Sequence, residues 1–231
     1  MARHPQREIE RLKKKILALG AIVEDNLRQA FAAIESRDAD AARQVILADA
    51  VIDENEVEVE EECLKILALY QPVAVDLRYI VAVIKINNDL ERIGDLGANV
   101  AERAVQLSQT EPIVVPAKLL AMAERVESML ERALDALVRS DPTLARLVLA
   151  ADDEVDELYP QLLDEMKAEI RDHLDRLDAL VLLFAVARYL ERLADHTTNI
   201  AEDVLYMAEG EITRHQTPAA IFSLESHQFD S

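Results

Sequence analysis

Paired carboxylates are the chemistry this chain repeats. Asp49 and Asp53 are spaced four residues apart, as are Glu91 and Asp95, and the second half writes both pairs again as Asp152/Asp156 and Glu191/Asp195. On a helix, residues four apart share one face. Each like-charged pair there costs a few tenths of a kcal/mol, so writing it four times makes little sense as stabilisation. A bound cation would reverse the cost, because hard and borderline metals take carboxylate oxygens. Asn99 and Asn199 lie one turn further on and offer amide oxygens, and Glu24 and Glu127 offer carboxylates at about the same height. The competing reading is an acidic face open to water, partly neutralised by Arg92 and Arg192; the run EVEVEEE at 56–62 has pairs of that kind.

Helices must position these groups. Ile9, Leu12, Ile16, Leu19, Val23, Leu27, Phe31 and Ile34 fall at helical spacing, which predicts a first helix from about Glu8 to Ser36. SRDAD at 36–40 supplies turn and cap chemistry. A second helix runs to about Tyr70, QPVAVD at 71–76 breaks it, and a third spans about Asp76 to Ser108. TEPIVVP at 110–116 reads as an extended linker. Three more helices follow, from about Ala117 to Arg139, from the SDP turn at 140–142 to about His173, and from about Asp175 to Glu209. Pro160 lies inside the fifth, where a proline kinks a helix at a cost of about 3 kcal/mol. The tail at 211–231 has no sustained periodicity and is expected to be mobile.

The halves align. Asp38, Asp49, Asp53 and Glu54 match Asp141, Asp152, Asp156 and Glu157 at an offset of 103, and Glu91, Asp95, Asn99 and Glu102 match Glu191, Asp195, Asn199 and Glu202 at an offset of 100. The fold expected is all-α: two tandem antiparallel three-helix bundles related by internal duplication, at 1–109 and 117–210, joined by the linker at 110–116. In an antiparallel hairpin, residues equidistant from the turn are level. Asp53/Glu91 and Asp49/Asp95 are both centred on Pro72, and Asp156/Glu191 and Asp152/Asp195 on the step between 173 and 174. The carboxylates should therefore meet across each hairpin. Gly94 and Gly97, opposite Ala194 and Thr197 in the other half, should let helices approach closely; His196 reads as an accessory or exposed side chain and Cys63 as a small buried one.

Composition bounds the function. The net charge is −20, with 4 Gly, 7 Pro and no Trp. Such a surface repels nucleic acid and anionic lipid and favours cations and basic partner surfaces. Cys63 is the only cysteine, so no intrachain disulfide is possible. The longest apolar run, ALVLLFAVA, has nine residues, too short to span a bilayer. A soluble, cytoplasmic protein without membrane insertion is expected.

QPVAVDLR at 71–78, LERIGDLGANVAE at 90–102 and LERLADHTTNIAE at 190–202 resemble the PhoU family of phosphate-signalling regulators, and the resemblance covers nearly the whole chain. It implies two three-helix bundles with pseudo-twofold symmetry, often in a homodimer. It also implies multinuclear iron or zinc on the E/DxxxD pairs, here Asp49/Asp53, Glu91/Asp95, Asp152/Asp156 and Glu191/Asp195; magnesium and manganese accept the same donors. It implies no catalysis. Members couple the high-affinity phosphate ABC transporter, through its ATPase subunit, to a sensor histidine kinase, repress the phosphate-starvation response when phosphate is ample, and restrain uptake. The second half departs from the pattern, with HLDRLDAL at 173–180 where the first has QPVAVDLR. The alternatives are a di-iron or di-metal carboxylate enzyme and a metal-binding storage protein. Ferritin-like enzymes place Glu-x-x-His on two helices, whereas here Gly94 and Ala194 stand three residues after Glu91 and Glu191.

Overall fold

The computed structural model describes residues 5–210; the expectation for 211–231 lies outside the described residues. Six long helices follow one another: α1 (Pro5–Ser36), α2 (Ala39–Tyr70), α3 (Ala74–Leu107), α4 (Ala117–Arg139), α5 (Pro142–Asp172) and α6 (Leu177–Glu209). No strand occurs among the described residues. The third helix starts at Ala74, two residues before the position expected from the sequence, and a short 3-10 turn at Leu174–Arg176 precedes α6.

Local chemistry sets the ends. Asp38 caps α2 by accepting from the Asp40 and Ala41 amides at 2.9 and 3.0 Å, and its counterpart Asp141 caps α5 by accepting from Thr143 and Leu144 at 2.8 and 3.2 Å. Arg37, in the left-handed region at φ 56°, turns its guanidinium to the carbonyls of Leu107, Thr110 and Glu111. It thereby fastens the α1–α2 turn to the end of α3 and the start of the linker. Helix α5 continues through Pro160, whose missing N–H frees the Asp156 carbonyl; both residues lie on an exposed face, where water can take the lost bond.

Helices α1, α2 and α3 form the first bundle and α4, α5 and α6 the second. Leu12, Ile16, Leu19, Ile52, Ile66, Ile80, Leu90 and Ile93 are fully buried in the first, each worth about 1.5–3 kcal/mol of apolar burial. The bundles do not have separate cores, because one apolar cluster runs through both. They join where α3 lies along α6 and where α1 meets α4. Gly20 permits the second approach, since a Cβ there would fall 2.7 Å from a Leu134 methyl. The α3–α6 seam also carries buried polar groups: Lys85 reaches Asp203 at 3.1 Å and lies over the Tyr206 ring at 5.1 Å.

Candidate functional site

The structure places the predicted carboxylates where the level argument put them. Each hairpin brings its two pairs together, and their electrostatics record it. Asp49 is pushed up from 3.8 to about 6, first by burial and then by the charges of Asp53 and Asp95. Asp152 is likewise pushed up to about 6, by burial and then by Asp156, Asp195, Asp153 and Glu191. Burial, aided by the neighbouring acids, also raises Glu91, Glu191 and Asp195. Arg92 partly offsets the first cluster, at 3.4 Å from Glu91 and 3.2 Å from Asp95.

The glycines of α3 set how closely α2 and α1 approach. A Cβ on Gly94 would fall 3.0 Å from Ile52 Cδ1 and 3.3 Å from Asp49 Oδ1, and one on Gly97 would touch Leu27. Asp49 Oδ1 is buried with no hydrogen-bond partner, a costly state for a carboxylate oxygen. That orphaned oxygen and the all-oxygen donor set fit a hard or borderline cation. As the side chains stand, no three His, Cys, Asp or Glu groups among the described residues close on one ion, so holding one would require rotamer changes.

Other predicted residues lie elsewhere or are otherwise engaged. Asn99 donates to the Asp95 carbonyl of its own helix at 2.7 Å. Asn199 donates to Asp89 Oδ1 at 3.3 Å, across the seam between the bundles. Glu24 and Glu127 meet each other, with Arg28, Glu124 and Glu131, around an open cavity of about 290 Å³ between α1 and α4. Burial raises Glu127 there. Cys63 is fully buried, its thiol pushed up to about 12 by burial and by Glu62 and Glu60.

Two groups of residues escape sequence reasoning. Glu56 joins the first cluster, raised by burial, Glu60 and Asp53, while Asn87 donates to its Oε1 at 2.9 Å and to its carbonyl at 3.0 Å. The signal was an asparagine, Asn87, at a core position of α3. Asp89, only 8 % exposed, takes His196 Nδ1 at 2.8 Å as well as Asn199. Neither His196 nor Asp89 has a like residue in the other half, so the repeat gave no sign of their meeting.

Fold and site together define a duplicated helical scaffold carrying one paired-carboxylate cluster per bundle. A sequence model of the PhoU domain matches residues 16–104 and 119–204. The chain is 37% identical over 210 residues to the phosphate-specific transport system accessory protein PhoU homolog of Aquifex aeolicus, covering 91% of this chain and 95% of that one. It is 36% identical over 209 residues to the homolog of Pseudomonas aeruginosa, covering 90% and 86%. The crystal structure of PhoU from Pseudomonas aeruginosa superposes with a TM-score of 0.86 at 35% identity, covering 90% of this chain and all of that one. That of the phosphate transport system regulatory protein PhoU from Streptococcus pneumoniae gives 0.84 at 28% identity, covering 90% and 99%. The chain belongs to the PhoU family.

Proposed function

We propose that this protein is a non-catalytic regulator of phosphate transport. It acts as a cytoplasmic homodimer that links the ATPase subunit of the phosphate ABC transporter to a sensor histidine kinase, represses the phosphate-starvation response and restrains uptake. The observation that carries this reading is similarity along nine-tenths of the chain to proteins named as accessory proteins of the phosphate-specific transport system. No helix of the described residues is long and apolar enough to cross a membrane, which suits a peripheral partner of a transporter. An enzyme reading lacks support, since neither Glu91 nor Glu191 is followed by the histidine of a ferritin-like site.

In this reading the carboxylates hold iron or zinc, or magnesium or manganese, through Asp49, Asp53, Glu91 and Asp95 in the first bundle and Asp152, Asp156, Glu191 and Asp195 in the second. The metal supplies positive charge that offsets the mutual repulsion of these groups. The chain's own residues tie α2 to α3 and α5 to α6 across that charge, stiffening the hairpins that present the acidic faces.

The test is deletion of the gene together with binding of the purified protein to the transporter ATPase and the kinase. Expected are raised phosphate-starvation gene expression in phosphate-rich medium, and binding that weakens with salt as the Debye length shrinks from about 10 Å at 0.1 M. Normal repression in the deletion strain, with no duplicate gene, would overturn the assignment.

A further inference from the structure

The first bundle carries a polar layer in its core that the second does not repeat. Leu12, Leu19, Asn26 and Ala33 recur every seven residues along the inner line of α1, and all are buried, Asn26 to 4% exposure. At the offset of 103, Leu19, Asn26 and Ala33 stand opposite Met122, Met129 and Ala136 of α4, which are buried as well. A methionine therefore fills in the second bundle the place that an amide holds in the first. The Asn26 Nδ2 is buried with no hydrogen-bond partner, a costly state for a donor that an apolar side chain would avoid.

The packing aims this amide at the first carboxylate cluster. Asn26 and Asp49 are equidistant from the step between Arg37 and Asp38, where α1 turns into α2, so they are level for the same reason that Asp49 and Asp95 are. Lys15, three helical turns before Asn26 on the same face of α1, bonds Glu58 of α2 at 2.7 Å and keeps that register to within one residue. Asp49 stands on the inner line of α2 between Val45 and Ile52, both fully buried. Both helices press on one turn of α3: a Cβ on Gly97 would fall 3.9 Å from the Cα of Leu27, next to Asn26, and one on Gly94 would fall 3.3 Å from Asp49 Oδ1. The layer thus holds an unpaired N–H on α1 and an unpaired carboxylate oxygen on α2. In the second bundle Met129 offers no N–H, Ala194 and Thr197 replace the glycines, and neither oxygen of Asp152 is buried without a partner.

We infer that Asn26 is a positioning residue of the first metal site: when the cluster closes on a cation, the Asn26 amide donates to Asp49 Oδ1 and leaves Oδ2 for the metal. The carboxylates must change rotamer to hold an ion, and this bond fixes which Asp49 oxygen faces it. A ligating carboxylate is ordinarily held in this way by a hydrogen bond to its second oxygen. A lysine or arginine in that place would neutralise the charge that attracts the cation, whereas an amide donates and leaves the charge intact. The second bundle must orient Asp152 without such a donor. This role rests on the metal reading of the clusters and deepens it.

The experiment titrates zinc into the metal-free full chain by calorimetry at pH 7.5, with the second site silenced by Asp152→Ala/Asp195→Ala. On that background Asn26→Met should weaken zinc binding about 10–100-fold. It should leave the Tm of the metal-free chain no lower than that of its parent, because methionine fits the same place in the second bundle. With asparagine labelled by 15N, the Asn26 side-chain amide resonance should move when zinc is added, and Asp49→Ala should abolish that movement. Unchanged zinc affinity in Asn26→Met, or an Asn26 amide that zinc does not move, overturns the positioning role and spares the metal reading. Weaker binding that comes with a lowered Tm and a stationary amide overturns it too, in favour of a role in packing alone. A parent chain that binds neither zinc nor manganese nor ferrous iron at the first site overturns the metal reading, and the role of Asn26 falls with it.

Discussion

Removing the charge of the two most perturbed aspartates should stabilise the metal-free protein, and only at neutral pH. Asp49 and Asp152 are each pushed up from 3.8 to about 6 by burial and by neighbouring carboxylates. In the window between those values the folded chain binds more protons than the unfolded one, so stability falls as pH rises through it. Above pH 6 the full penalty is present; below 3.8 it vanishes. At face value the shift corresponds to about 3 kcal/mol for each group. Both side chains are partly open to solvent, which screens these charges and leaves about half that value, about 1.5 kcal/mol each. The sites lie in different bundles, so their effects should add. Asp49→Asn/Asp152→Asn, in chelator at pH 7.5, should therefore gain about 3 kcal/mol, or roughly 6–12 °C in Tm for a chain of this size. At pH 4 the gain should shrink to about a third of that. Iron or zinc should then stabilise the wild type and not the variant. Thermal melts across pH check all of this. A variant no more stable than the wild type at pH 7.5, or one with the same gain at pH 4, would show that the clustered carboxylates are not mutually strained.

Asp95→Ala should weaken metal binding in the first bundle and leave the second nearly intact, read as loss of about half the bound metal by elemental analysis of protein purified without chelator; equal loss from both bundles would refute separate sites. Gly210→Ala should destabilise by about 1–2 kcal/mol in urea denaturation, because Gly210 ends α6 at φ 78°, and an unchanged midpoint would show that this turn carries no strain.

The helices and their pairing were legible because periodicity and caps depend on neighbours in sequence. Asp38 and Asp141 announce helix starts from sequence alone, and the structure uses both as caps. The carboxylate clusters were legible for a related reason, since a short hairpin fixes which residues are level. What crosses between the bundles was not legible. Glu24 and Glu127 were expected beside the clusters, yet they face each other across the α1–α4 junction. Asn199 read as one more donor, yet it turns to Asp89. Periodicity says which face of a helix is buried. It does not say which foreign helix covers that face, and α3 and α6 are each covered by their own bundle and by the other.

The duplication also separates causes that one copy would leave entangled. Gly94 lets α2 come close to α3, and a Cβ there would press on both Ile52 and Asp49. It would be natural to credit the glycine with the raised Asp49. Yet Ala194 holds the equivalent place in the second bundle, and Asp152 is raised to the same value. The shared features are the hairpin and the facing pairs, so those set the titration, and the glycine serves the packing of Ile52. The same comparison bears on Glu56 and Asn87. Their counterparts at the two offsets are Tyr159 and Ala187, while Asp153 of the second cluster stands opposite Ala50, so each cluster has a fifth carboxylate that the other lacks, and only the first has its own held by an amide. Two sites with the same four acids and different fifth neighbours need not bind a cation equally tightly. The first, whose Asp49 oxygen is buried and orphaned, should be the tighter of the two.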